Sequence, residues 1–124
     1  MPDLPGMNIM IAAAEGRRFC AALETAIAAV ALGQSARLFV QGDAAAMLRA
    51  PAGFAGDGAR RAMGLPGLNE LIDEALASGV EIIVCQSGLA LANLTADRIV
   101  DGIKAGGVVS FLAAVSADDR LITY

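Results

Sequence analysis

A cysteine follows a buried hydrophobic run in the second half of the chain. Cys85 comes directly after the apolar residues 82–84 and directly before Gln86, Ser87 and Gly88. A strand would hold the thiol rigidly, while the small and polar residues after it leave the backbone open. If the chain turns helical just after Cys85, free backbone N–H groups would lower the thiol pKa. The sequence therefore predicts a reactive thiol at Cys85, with Gln86, Ser87 and Gly88 lining its binding site.

This thiol would have to be activated without histidine, because the chain contains none. That absence excludes Ser-His-Asp and Cys-His nucleophiles, a histidine acid or base, and most zinc sites. Arg17 and Arg18, in the segment after the first predicted strand, are candidates to add positive charge near the sulfur. We predict no metal and no cofactor. The alternative is that Cys85 is simply a small buried hydrophobic residue, as most free cysteines are.

Two further residues, Cys20 and Asp43, are candidates to act together with Cys85. Cys20 falls near the apolar stripe of the first helix, so we predict that it is buried. If it faced the sheet edge instead, it could resolve an oxidised Cys85. Asp43 follows Gly42 at the end of the second strand, where it would cap a short helix or supply a carboxylate to the site.

The apolar pattern indicates which elements would position these residues. Continuous apolar runs predict strands, and apolar positions three and four residues apart predict helices. The predicted strands are 7–14, 37–40, 80–84, 108–115 and 120–124. The predicted helices are 17–32, 44–49, 65–78 and 96–105, the last capped by Thr95. Residues 89–94 remain ambiguous, with a short helical turn as one reading.

Strands that alternate with helices are typical of an α/β fold. The expected architecture is a doubly wound, mostly parallel five-stranded sheet with right-handed crossovers and helices on both faces. Functional groups of such sheets gather beyond the carboxyl ends of the strands. Residues 14–18, 42–43 and 85–88 would meet there, and of these only 85–88 supplies a nucleophile.

Residues 50–64 interrupt the alternation with one proline and four glycines. This density of helix and strand breakers predicts a mobile loop without regular structure. The stretch 56–61 lacks the Lys-Ser/Thr of a phosphate-binding P-loop, so we interpret it as a flexible lid or an oligomer contact.

Composition limits the class of protein. A chain of 124 residues fits one domain over 1–124, and its apolar runs are too short to span a membrane. The net charge of −4 and the scattered basic residues argue against a nucleic-acid partner. We find no export signal in residues 1–14, so we expect a cytoplasmic protein with reduced cysteines. Because 56% of residues are hydrophobic and only 18% charged, we also expect a homo-oligomer.

Three segments carry a resemblance to a known family. They are residues 38–43 (LFVQGD), residues 71–85 (LIDEALASGVEIIVC) and residues 117–124 (ADDRLITY). The most specific feature is the order of helix, Gly-Val, hydrophobic strand and cysteine. Over nearly its whole length the chain resembles the DsrE/DsrF-like family of small sulfur-relay proteins.

The resemblance implies a flavodoxin-like fold, oligomerisation and a role for Cys85. In the sulfur-relay members, the cysteine at this position accepts sulfur and passes it on as a persulfide, from a donor protein to an acceptor. The function expected for this chain is therefore that of a sulfur carrier or sulfurtransferase. Two alternatives stay open: a non-catalytic binding or assembly module of the same fold, or a thiol redox sensor in which Cys20 and Cys85 form a disulfide.

Overall fold

The computed structural model describes residues 4–124. The expectation that residues 1–14 contain no export signal falls partly on residues 1–3, which lie outside the described residues. Strands and helices alternate along the chain. The strands are β1 (Met7–Ile11), β2 (Ala36–Val40), β3 (Glu81–Cys85), β4 (Lys104–Gly106) and β5 (Arg120–Thr123). The α-helices are α1 (Gly16–Ala31), α2 (Asp57–Ala62), α3 (Leu68–Ser78), α4 (Gln86–Leu91) and α5 (Val108–Ala113). Two 3₁₀ helices, Gly42–Leu48 and Ala96–Arg98, complete the chain.

The five strands form one sheet in the order β4-β3-β2-β1-β5, and every neighbouring pair is parallel. Leu38 in β2 lies opposite Ile9 of β1 on one side and opposite Ile82 of β3 on the other. The expected α/β class with a five-stranded sheet is confirmed, and the sheet is entirely parallel. All five carboxyl ends consequently meet at one edge of the sheet.

The two faces of the sheet are covered unequally. On one face α1 and α3 pack over a large core that includes Ile9, Leu38 and Ile82, all of them buried. On the other face only the short helix α5 covers a small cluster of Phe39, Ile83, Cys85 and Phe111. The predicted placement of helices on both faces is confirmed. No helix within residues 4–124 has both the length and the apolar character needed to cross a membrane.

Two elements near the carboxyl terminus differ from the prediction. Residues 108–115, predicted as a strand, contain helix α5, and residues 96–105, predicted as a helix, contain only one 3₁₀ turn and the start of strand β4. The spacing of apolar residues cannot distinguish a helix from a strand in such short runs. Residues 104–106 become a strand because they pair with β3 at the edge of the sheet, where Ile83 pairs with Lys104 and Cys85 pairs with Gly106.

The glycine-rich segment 50–64 is not a structureless loop. It contains α2, which is connected to α3 through the buried carboxylate of Asp57. That carboxylate accepts hydrogen bonds from the backbone N–H groups of Phe54, at 3.0 Å, and Leu68, at 2.8 Å. Arg61 adds an ion pair with Glu70 at 3.0 Å. The prediction of a loop without regular structure was wrong because these contacts, two of them with the start of α3, outweigh the local effect of the glycines.

Smaller differences concern element ends. β1 stops at Ile11 instead of continuing to residue 14, and α3 begins at Leu68 instead of residue 65. The stop signals are confirmed, since α1 ends just before Gly33 and α3 just before Gly79. The ambiguous stretch 89–94 lies partly in α4, which begins directly after Cys85.

Candidate active site at Cys85

Cys85 is at once the last residue of β3 and the N-cap of α4. The buried apolar residues before it fix its backbone in the sheet, while Gln86 begins the helix. The side chain lies on the sheet face covered by α5, and the residue is 5% exposed. The predicted position of Cys85 at a strand end is confirmed, and the helical turn that was the condition for a lowered pKa is present.

Three donors surround the sulfur. The Sγ atom accepts a hydrogen bond from the backbone N–H of Gly88 at 3.0 Å and from that of Gly42 at 3.3 Å. The hydroxyl of Ser87 lies 3.5 Å from Sγ. Two of these groups belong to α4, whereas the Gly42 N–H comes from the start of the 3₁₀ helix that follows the neighbouring strand β2. Hydrogen bonds from such groups favour a thiolate over a thiol.

Both glycines are required by this arrangement. Gly42 has φ = +57°, a conformation that side chains with a Cβ rarely adopt, and this turn aims its N–H at the sulfur. A Cβ on Gly88 would lie 2.8 Å from Sγ and 2.8 Å from the carbonyl oxygen of Gly42. Any larger residue at position 88 must displace either the sulfur or the β2 end.

The electrostatic outcome is a thiol that ionises more readily than usual. Burial raises the pKa of Cys85, because it disfavours the charged form. The hydrogen bonds from Ser87, Gly42 and Gly88 act in the opposite direction and outweigh burial. The net pKa of Cys85 is therefore lowered, without any histidine.

A cavity of about 370 Å³ gives access to the sulfur. Cys85, Gln86 and Ser87 form one wall, and Val108 and Val109 of α5 form the other. The wall formed by α5 is apolar. Of the residues predicted to line the site, Gln86 and Ser87 line this cavity, while Gly88 is buried and contacts the sulfur from the helix side.

The structure does not bring Arg17 or Arg18 to the sulfur. Their backbone N–H groups donate to the carboxylate of Glu15, which caps α1. The side chains are exposed, and Arg17 lines a different cavity beside Phe54. Neither arginine is among the groups that contact Sγ. The pKa of Cys85 is governed by burial and by the hydrogen bonds from Ser87, Gly42 and Gly88, so the structure does not support the prediction that these arginines activate the thiol.

The prediction that Asp43 caps a helix was also wrong. The segment Gly42–Leu48 is a 3₁₀ helix whose N-cap is Gln41, and Asp43 is exposed inside its first turn without a capping bond. The functional residue in this place is its neighbour Gly42, which sequence reasoning missed. A glycine directly after a parallel strand, at the sheet edge that holds the cysteine, was the available signal.

Cys20 lies far from this chemistry. It is fully buried in the core under α1, on the sheet face opposite Cys85. Burial raises the pKa of the Cys20 thiol. Both cysteines are free, and the intervening sheet separates them, so the arrangement does not support a Cys20–Cys85 disulfide. Within residues 4–124, no three His, Cys, Asp or Glu side chains cluster closely enough to hold a metal ion.

The fold and the site together define a small α/β protein with a hydrogen-bonded cysteine at the carboxyl edge of a parallel sheet. A model of the DsrE/DsrF-like family matches residues 9–124, and the chain belongs to this family. No curated protein matches its sequence significantly.

Two solved structures share the fold over almost the whole chain. The ychN protein of E. coli is 19% identical with a TM-score of 0.76, over 98% of this chain and 100% of that one. The protein of unknown function MTH1491 from Methanobacterium thermoautotrophicum is 15% identical with a TM-score of 0.70, over 98% of this chain and 100% of that one. At these identities the likeness concerns the fold.

Proposed function

We propose that this protein is a sulfur carrier of the sulfurtransferase type, which accepts sulfur on Cys85 and passes it on as a persulfide. The observation that carries the proposal is the set of three donors around Sγ, from Gly88, Gly42 and Ser87. They stabilise a thiolate in a site that a small cavity opens to solvent. Membership of the DsrE/DsrF-like family supports the same assignment.

The reaction needs only thiolate chemistry. The Cys85 thiolate attacks the outer sulfur of a persulfide donor, a new S–S bond forms on Cys85, and the donor leaves as its own thiolate. In the second half, an acceptor thiolate attacks the outer sulfur carried by Cys85, and the Cys85 thiolate is the leaving group. The lowered pKa helps both halves, because a thiolate is the nucleophile in the first and the leaving group in the second.

The test is direct sulfur loading. After incubation with inorganic polysulfide and removal of excess reagent, intact-mass measurement is expected to show a gain of one sulfur atom, and peptide mapping should place it on Cys85. Cys20→Ser is the matched control and should load like the wild type, because Cys20 is fully buried. A Cys85→Ser variant that loads as well as the wild type would sink the proposal.

The partners and compartment follow from this chemistry. A sulfur donor and a sulfur acceptor, either of which can be a protein, are needed for a relay. A cytoplasmic location suits a carrier that must keep its cysteine reduced. Neither nucleic acid nor a membrane enters the proposed reaction.

The proposed carrier is a homo-oligomer. Val109 and Leu112 lie exposed on the outer surface of α5, and Leu121 of β5 lies exposed on the same side of the sheet. Large apolar residues exposed on one side of the sheet favour contact with a second copy of the chain.

Light scattering is expected to give a mass that is a multiple of the 12.5 kDa chain. Leu112→Asp should lower the mass toward one chain, because it places a charge in the proposed contact. Leu32→Asp, at the exposed end of α1 away from α5, should leave it unchanged. A wild-type mass of one chain would contradict the proposal.

A further inference from the structure

The cavity at Cys85 continues into a second one along α5. A groove of about 290 Å³ lies between α5 and the strands β3 and β4, and it shares Gly107 and Ser110 with the Cys85 cavity. Arg37 of β2 lines this groove, together with the ring of Phe111. The two cavities thus adjoin in a path that leads from the sulfur toward Arg37.

The guanidinium of Arg37 is held firmly in place. Its Nε donates to Oδ1 of Asn8 at 2.9 Å, and one terminal nitrogen donates to the carbonyl of Phe111 at 2.8 Å. The group also lies over the Phe111 ring, 4.2 Å from its centroid. Such a fixed, partly buried guanidinium has lost its mobility before any ligand arrives, which favours anion binding.

The charge of Arg37 is not neutralised by a direct ion pair among residues 4–124. Asp119 shares the Asn8 side chain with Arg37 and also interacts with it electrostatically. Asp119 lines another cavity that Arg37 also borders, but it does not line this groove. The Asp119 carboxylate already accepts hydrogen bonds from the backbone N–H groups of Gly6, at 2.8 Å, and Ser116, at 2.9 Å.

The other charges in the groove are a matched pair. Lys104 and Glu81 both line it and form an ion pair at 3.8 Å, with Lys104 largely exposed. Their charges cancel to first order. The groove therefore retains a net positive charge at Arg37, which complements a carboxylate.

The distance from sulfur to cation sets the length of the ligand. Arg37 pairs in register with Glu81, four residues before Cys85 on the adjacent strand. Four residues of strand span about 13 Å along the sheet. In a ligand that occupies both cavities, the carboxylate that binds Arg37 must therefore be far from the sulfur that meets Cys85. Cysteine is too short, whereas a peptide-sized thiol has the required length.

We infer that Cys85 exchanges sulfur with the persulfide of a small peptide-like thiol whose carboxylate binds Arg37. This inference rests on the proposed function and names its substrate class. The Cys85 thiolate attacks the outer sulfur of the bound persulfide, the S–S bond of the donor breaks, and the peptide thiolate leaves. Ser110 and Gly107 line both cavities and so adjoin the middle of the ligand.

The experiment measures the initial rate of Cys85 persulfidation against the concentration of glutathione persulfide. We expect saturation, and Arg37→Gln should raise the half-saturating concentration about tenfold, as expected for the loss of one charge-assisted hydrogen bond. Arg49→Gln is the matched control and should change it little, because Arg49 is exposed and lines neither cavity. Loading from inorganic polysulfide should be equal in all three proteins, since that donor has no carboxylate.

A second measurement avoids any effect of Arg37 on folding. The wild-type protein is given the persulfide of the glutathione diester, which lacks both carboxylates, and it should react with a much higher half-saturating concentration than the acid. Equal values for ester and acid would overturn the inference. Loading by polysulfide with no saturable reaction toward glutathione persulfide would also overturn it, while leaving the proposed function intact. Failure of polysulfide to load Cys85 would instead refute the proposed function itself.

Discussion

A Gly88→Ala variant is expected to lose most of the reactivity of Cys85 at neutral pH. The new Cβ would lie 2.8 Å from the side-chain Sγ and 2.8 Å from the backbone carbonyl oxygen of Gly42, which cannot move without shifting the 3₁₀ helix. The sulfur would be pushed away from the N–H groups of Gly88 and Gly42, which now donate to it at 3.0 and 3.3 Å. Because these bonds lower the pKa of Cys85, their loss raises it, and each unit of increase removes about nine tenths of the thiolate at a pH below the pKa.

The measurement is the rate of Cys85 alkylation by iodoacetamide as a function of pH. The rate follows the thiolate fraction, so it rises through the pKa, and the midpoint of the variant should lie at higher pH than that of the wild type. At neutral pH the rate is expected to fall about tenfold. Gly58→Ala is the matched control, since a Cβ there meets no atom within 4 Å.

Ser87→Ala keeps the test decisive if Gly88→Ala folds poorly. It removes the hydroxyl at 3.5 Å without adding an atom, so a smaller shift in the same direction is expected. Identical pH midpoints in the wild type, Gly88→Ala and Ser87→Ala would show that these donors do not set the pKa of Cys85.

Phe111→Ala is expected to cause the largest loss of stability among single changes near the site. Phe111 is the one buried residue of α5, and its ring packs against Phe39 with the centroids 5.0 Å apart. Loss of a buried phenylalanine side chain costs about 3–5 kcal/mol. A domain of this kind has a total unfolding free energy of only about 5–15 kcal/mol. Without Phe111, the cover over Cys85 loses its attachment to the sheet and Arg37 loses the ring beneath its guanidinium.

Denaturant unfolding gives the free energy directly. Ser110→Ala is the control on the same helix, and because Ser110 is exposed, it should change the unfolding free energy by less than about 0.5 kcal/mol. A Phe111→Ala variant as stable as Ser110→Ala would mean that α5 does not depend on this side chain.

Several features could be predicted because they depend on neighbours in the sequence. The long apolar stripe of α1, the stop signals Gly33 and Gly79, and the continuous apolar run that ends at Cys85 all identify their elements locally. The position of Cys85 at a strand end followed by a helical turn is of this kind. So is the α/β class, since it needs only the alternation of strands and helices.

Other features could not be predicted because distant residues decide them. The run 108–115 suits a strand by composition, yet it forms α5, because Phe111 packs on Phe39 of the central strand β2. In 50–64 the glycines indicate disorder, yet the Asp57 carboxylate connects α2 to the start of α3. Short segments have weak local preferences, so tertiary contacts override them.

The features of the candidate site also fall into those that local sequence determines and those that distant residues determine. The sequence by itself determined that Cys85 ends a buried strand and that no histidine activates it. Only the tertiary structure decided what surrounds the sulfur: Gly42, just beyond the adjacent strand β2, donates to it, whereas Arg17 and Arg18 make no contact with it. The physical reason is that a hydrogen bond to a thiolate depends on the placement of one backbone N–H to within a few tenths of an ångström. The register of β2 against β3 and the positive φ of Gly42 fix that placement, and residues far apart in the chain determine both.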